Sequence, residues 1–283
     1  MSNTRPVSES LREYARGVGG GLLFSLPLLY TGEVWATAAS ASPGRLVAVV
    51  AGTLSLLVAY NQTAGIRADH TLGEVLLESV EEMGLGLAVA VGLLALLGRI
   101  PADPFSPEAL GLFTVSGMIA AIGVSVGTAQ LGQSPGDDED DSEGEQPAPR
   151  SVLGDVTVAL CGAVLVAANV APTEEIFQLG TEMAPGALAG LVAVSLAVGG
   201  GILYASGFRG SEGLRDQAFG AVAGTLVAYA AALVASAGLL WAVGFGGPGL
   251  FGVAAGPLVG PLVVLAFPAM LGASAGRLLL SPS

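Results

Sequence analysis

Residues 76–99 read LLESVEEMGLGLAVAVGLLALLGR, with three glutamates near the start and no charge from Met83 to Gly98. As a helix this stretch would extend about 36 Å, enough to cross a hydrocarbon core about 30 Å thick. Working outward, similar apolar stretches occupy 17–39, 45–66 and 107–131 on one side of a polar run, and 157–181, 186–207, 218–244 and 250–280 on the other. Strand-type alternation is absent, which argues against an outer-membrane barrel. The reading is an all-α polytopic membrane bundle of about eight transmembrane helices.

Composition agrees. The chain is 52% hydrophobic and 12% charged, where a soluble domain carries about a quarter charged residues. Its 43 glycines suit helices packing closely in lipid. The net charge of −13 is not spread evenly, because Asp137, Asp138, Glu139, Asp140, Asp141, Glu143 and Glu145 crowd one segment. All ten basic residues are Arg. An acidic chain without Lys resembles proteins of salt-accumulating halophilic archaea, and GC-rich codon usage is the alternative cause. With no basic patch, nucleic acid is excluded as a partner. The single Cys161 excludes a disulfide framework. Arg5, Arg12 and Arg16 followed by an apolar run and Ala39-Ser40-Ala41 could pass for a secretory signal. Glu33 and Trp35 interrupt that pattern and the segment recurs inside the chain, so it reads as a mature helix.

Arginine placement sets an expected orientation. With the N-terminus cytoplasmic, Arg5, Arg12, Arg16, Arg67, Arg150, Arg209, Arg215 and Arg277 fall inside, and only Arg45 and Arg99 outside. The expectation is a multi-pass protein of the cell membrane with both termini cytoplasmic. The organisation read from the sequence is a tail at 1–16, a membrane repeat at 17–132, an acidic disordered cytoplasmic linker at 133–150 and a second membrane repeat at 151–283.

The repeat rests on a gapless shift of 142 residues, which superposes Gly20 on Gly162, Leu23 on Leu165, Thr31 on Thr173 and Glu33 on Glu175. Pro43-Gly44 then meets Pro185-Gly186, Arg67 meets Arg209, and Glu74 meets Asp216. After a small length change, Gly123-Val124-Ser125-Val126-Gly127 meets Gly272-Ala273-Ser274-Ala275-Gly276. Four spans per repeat place the two in parallel, related by an axis along the membrane normal.

The stretches Pro27-Leu28-Leu29-Tyr30-Thr31-Gly32-Glu33-Val34-Trp35 and Ala171-Pro172-Thr173-Glu174-Glu175 resemble the signature segments of an uncharacterised prokaryotic family of integral membrane proteins, one of the domain-of-unknown-function families. The likeness covers most of the chain outside tail and linker, and departs from the family at Ala36, where a second Trp is usual. It implies a multi-span membrane protein and no established activity.

Two acids stand inside spans at equivalent places, Glu33 and Glu175. A charged residue at mid-helix costs about 2.5–3.5 kcal/mol of insertion free energy. Two carboxylates meeting across a pseudo-twofold axis would raise one pKa or recruit a cation. Thr31, Thr173 and Asn169 could add oxygen ligands, and Glu174 adjoins Glu175. Pro27 and Pro172 each leave a carbonyl four residues earlier without its donor, as broken transporter helices do. The competing reading makes Glu33 and Glu175 hydrogen-bonded helix-end residues near the interface. A second group, Glu74, Glu78, Glu81 and Glu82, is either an acidic vestibule in the inner leaflet or a solvated amphipathic turn before the third span.

Enzyme readings fail. The two Gly-x-Ser-x-Gly strings would need a strand–turn–helix and a histidine, and the only histidine, His70, falls in a loop. They read as helix-packing motifs. Glu174-Glu175 lacks the Arg of glutamate-type intramembrane proteases, Leu179 standing there. Trp35, Trp241, Tyr30 and Tyr229 read as interface anchors. No lysine means no phosphate-binding loop, and no cofactor is expected. Two functions follow as expectations: a small-cation (Na⁺, Ca²⁺ or H⁺) transporter or channel using Glu33 and Glu175, or a sensor or scaffold whose acidic linker binds a cytoplasmic partner. The lipid bilayer is the one sure partner. The metal identity and oligomeric state stay open.

Overall fold

The structure is a computed structural model, and it describes residues 7–64, 71–131, 152–171, 173–207, 214–244 and 258–279. Among these residues there are ten α-helices and no strand. They are α1 (Val7–Leu29), α2 (Gly32–Ala39), α3 (Pro43–Ala64), α4 (Leu72–Leu96), α5 (Pro107–Leu131), α6 (Val152–Ala167), α7 (Glu174–Glu182), α8 (Pro185–Gly207), α9 (Leu214–Ala242) and α10 (Val259–Leu279). The acidic linker and His70 lie outside the described residues.

Among the described residues six helices are long and apolar enough to cross a membrane: α3, α4, α5, α8, α9 and α10. The other two predicted spans, 17–39 and 157–181, are not single helices. The first divides into α1 and α2 at Tyr30-Thr31, and the second into α6 and α7 across 168–173. Proline is the cause in α1: Pro27 lacks the N–H that Leu23 would receive, and the helix ends two residues later. α1 begins at Val7, so the helix reaches back into the 1–16 segment and includes Arg12, Glu13 and Arg16.

The most buried helices are α5 and α10. In 7–131, α5 packs against α1, α2, α3 and α4; in 152–279, α10 packs against α6, α7, α8 and α9. Outer helices α3 and α8 leave most of their surface free, as expected of helices that face lipid tails.

Glycine permits the closest of these approaches. A Cβ on Gly20 of α1 would strike the Gly123 carbonyl of α5 and sit 2.5 Å from Gly127 Cα. A Cβ on Gly162 of α6 would strike the Gly272 carbonyl of α10 and sit 3.1 Å from Gly276 Cα. Likewise Gly111 meets the Ala38 carbonyl of α2, and Gly260 meets the Gly180 carbonyl of α7. The glycines of both Gly-x-Ser-x-Gly strings are therefore spent on backbone-to-backbone packing, the small-residue logic of helices in lipid.

The two groups of helices meet where α6 contacts α1, α3 and α5. Leu57, Tyr60, Ile122, Val126, Val158, Cys161 and Leu165 make a buried apolar cluster across that junction.

Candidate functional site

Along α4 the buried positions are Val75, Ser79, Glu82, Gly86, Ala90 and Leu94, a stripe at helical spacing that turns one glutamate into the bundle. Glu82 is only 8% exposed. It stands about 15 Å along the helix from Leu72 and about 21 Å from Leu96, well inside a membrane-length element. Asn61 Nδ2 on α3 donates to Glu82 Oε2 at 2.9 Å and to Ser79 Oγ at 3.2 Å. The other end of that amide, Oδ1, accepts from the Ser125 hydroxyl of α5 at 3.2 Å. Ser79 in turn donates to the Val75 carbonyl one turn earlier, at 2.8 Å. Three helices are thus joined by one polar chain. Cys161 on α6 is buried in the apolar cluster at the junction of the two groups of helices.

A 142-residue shift from Asn61, Ser79 and Glu82 lands on Leu203, Ala221 and Gly224. Among the described residues those three positions therefore hold no equivalent of the Asn61–Ser79–Glu82 group. In the repeat expected from the sequence Ser125 would meet Ser274, which is buried with no hydrogen-bond partner among the described residues.

The rest of the predicted acidic cluster separates. Glu74 Oε2 accepts from the Thr71 N–H at 2.9 Å and hydroxyl at 3.0 Å, closing the start of α4. Glu78 is half-buried and Glu81 exposed. Glu74 and Glu81 are thus exposed, whereas Glu82 is turned into the bundle.

Glu33 and Glu175 do not form the expected shielded pair. Both are exposed, as is Glu174. Each lies in the first turn of a short helix, Glu33 in α2 and Glu174 and Glu175 in α7. Negative charge there is favoured by the positive end of the helix dipole, which supplies a reason for the acids without any bound ion. Thr31 and Thr173 precede these helices, and their hydroxyls close the breaks: Thr31 Oγ1 donates to the Pro27 carbonyl at 2.8 Å, Thr173 Oγ1 to Val170 at 3.0 Å. Changing Glu33→Gln together with Glu175→Gln is expected to alter unfolding free energy by no more than about 1 kcal/mol, read from thermal melts in detergent.

Asn169 is not arranged as an ion ligand either. Its Oδ1 accepts the Leu28 N–H at 3.0 Å, and its Nδ2 donates to the Phe24 carbonyl at 3.1 Å and to Leu165 at 2.7 Å. A regular helix would join Phe24 and Leu28 to each other. Here the Asn169 amide spans that pair, one residue past the backbone gap left by Pro27, tying α6 to α1. Trp35 completes the repair, its Nε1 donating to the Leu29 carbonyl at 3.1 Å. Gly98, at φ 66°, ends α4 with its N–H on Ala95 and the next N–H, of Arg99, on Leu94. That turn brings the Arg99 guanidinium 4.1 Å from the Trp35 ring centroid, while Arg45 lies 5.9 Å from Trp241. Both tryptophans are therefore covered by arginine.

Between the helix breaks lies an apolar cavity of about 80 Å³, lined by residues that include Leu28, Thr37, Thr53, Ile119, Ala168 and Leu239. Among the described residues no three His, Cys, Asp or Glu side chains gather where they could hold a metal ion.

Several membrane-length apolar helices, close glycine packing and polar groups turned inward define a multi-pass integral membrane protein. The chain belongs to the family described as "Putative integral membrane protein (DUF2391)", whose model matches residues 13–280. No curated protein and no solved structure matches it.

Sequence reasoning passed over Asn61, Ser79 and Ser125. The available signals were an asparagine inside the apolar run 45–66 and the 75-79-82-86 stripe on α4.

Proposed function

We propose that this protein moves a small cation across the membrane, with Glu82 as the group that binds it. The observation that carries the reading is the Glu82 carboxylate, buried inside a membrane-length helix and held by Asn61 at 2.9 Å. An ionisable group at such depth is costly, and in membrane bundles such residues mark ion and proton pathways. Its hydrogen bond to Asn61 on α3 continues through that amide to Ser125 on α5, so a change of charge at Glu82 is felt by three helices together.

The surrounding architecture supports this reading. We take α1 with α2, and α6 with α7, as two broken crossings that bring the total to eight. Corresponding helices follow one another in the same order of long and short, and the α5 and α10 packing partners correspond one to one. This favours two parallel copies of one unit, of which the first kept the ionisable site. The arginine distribution favours cytoplasmic termini and a cell-membrane location.

The test is flux in proteoliposomes under imposed Na⁺, K⁺, Ca²⁺ and H⁺ gradients. Glu82→Gln is expected to lower the flux of the carried ion by more than about tenfold. Flux equal to the parent under all four gradients would remove the proposal.

A further inference from the structure

Resting on the assignment of ion handling to Glu82, we propose that the ion is the proton and that Asn61 is the positioning residue that responds to it. The direction of each hydrogen bond carries the argument. The amide turns its N–H end, not its oxygen, toward the carboxylate: Nδ2 to Glu82 Oε2 at 2.9 Å and Nδ2 to Ser79 Oγ at 3.2 Å. Its oxygen faces away and accepts from Ser125 at 3.2 Å. A metal cation beside Oε2 would meet the positive hydrogens of that amide. Turned over, the amide would bring Oδ1 beside Glu82 Oε2 and Ser79 Oγ, and a Ca²⁺ ion there would need further oxygens to reach its usual count of about six to eight. A proton needs one lone pair.

The same residues satisfy the protonated state. When a proton from water forms an O–H bond on Glu82, that hydroxyl can donate to Asn61 Oδ1 once the amide has turned over. Nδ2 then donates to Ser125 Oγ, whose hydrogen is released to turn elsewhere. The cost is the longer Ser79 contact. Loss of the proton restores the first arrangement. Every change is a hydrogen-bond reversal along Glu82–Asn61–Ser125, so the charge on α4 is reported to α3 and α5. A 142-residue shift puts Leu203 in place of Asn61, and Ser274 has no hydrogen-bond partner among the described residues.

The ionisable groups at this level come from several elements. Cys161 from α6 and Tyr60 from α3 are both buried. Arg16 of α1 precedes Gly17, which packs beside Leu85. Glu78 and Glu81 flank Glu82 on α4, and α5 brings serines.

Infrared difference spectra of the full-length chain in lipid, titrated across about pH 4 to 9, test this directly. The expected result is a protonated-carboxyl band that titrates with pH and disappears in Glu82→Gln. In Asn61→Leu the carboxylate loses a donor, and the band's midpoint is expected to move up by about one unit or more. Sodium should leave the midpoint in place. If Glu82→Gln does not assemble, Asn61→Leu and Ser125→Ala, which keep the carboxyl, carry the test through their midpoints. Absence of a titrating band, or a midpoint that follows sodium and ignores Asn61, overturns the proton assignment. Loss of Na⁺ or Ca²⁺ flux in Glu82→Gln without such a band would reject the proton alone and leave ion handling at Glu82 standing.

Discussion

Asn169→Leu is expected to lower the unfolding free energy by about 2–5 kcal/mol, through loss of the Asn169 hydrogen bonds to the Leu28 N–H and the Phe24 and Leu165 carbonyls. Leucine fills a similar volume, so the change isolates the polar contribution. Interhelical hydrogen bonds in membrane proteins often contribute less, about 0.6 kcal/mol on average, because displaced groups find other partners. Here the alternatives are few. Pro27 has no N–H to offer, and the neighbouring Pro27 and Leu29 carbonyls are already taken by Thr31 and Trp35. Asn169→Asp should fall between, since it keeps an acceptor for Leu28 and loses the donor to Phe24. Thermal melts give the stability, and hydrogen exchange at the Leu28 amide locates the effect. A loss below about 0.5 kcal/mol with Leu28 still protected would mean that α1 closes the gap by itself.

The second large effect concerns glycine. Gly162→Val is expected to cost more than about 3 kcal/mol or to prevent assembly, and Gly20→Val likewise. The first atoms met are backbone: the Gly272 carbonyl for Gly162, and the Gly123 carbonyl for Gly20. Backbone at a helix crossing yields only by moving both helices apart, which would forfeit the densest packing in each group. Gly44 and Gly186 provide the controls, because a Cβ at either meets nothing within 4 Å. Valine at those positions should stay within about 0.5 kcal/mol of the parent. Yield of monodisperse protein and melting temperature separate the two classes. Equal tolerance of Gly162→Val and Gly186→Val would contradict the packing.

Some of this was legible in the residues. Apolar stretches of membrane length foretold the helices from α3 to α5 and from α8 to α10, because length and hydropathy are properties of a segment alone. Shared glycine spacing pointed to packing at 123–127 and 272–276, and the structure places those glycines at helix crossings. The division of 17–39 and 157–181 was less visible. Pro27 weakens a helix, but where the chain then restarts depends on Thr31, Trp35 and Asn169, whose partners are set by tertiary contact.

The site shows the same limit. Glu33 and Glu175 drew notice as acids in apolar surroundings at matched positions, yet matched position says nothing of burial, and a new helix start gives both a reason to be exposed. Glu82 was obscured by its neighbours, since Glu78 and Glu81 made it resemble a solvated turn. Only the inward stripe through Val75, Ser79 and Gly86 separates it from them. Its partners lie 21 residues away at Asn61, and Ser125 lies a further 64 from that asparagine. Pairing over such separations is decided by helix packing, which no local pattern contains.

The most direct measurement compares two sets of substitutions in the same proteoliposome flux assay: Glu82→Gln alone, and Glu33→Gln with Glu175→Gln. The expected result is that Glu82→Gln loses proton movement by more than about tenfold while the double variant keeps it. Flux that survives Glu82→Gln and is lost in the double variant would contradict the account, and would return the ion to the exposed helix starts.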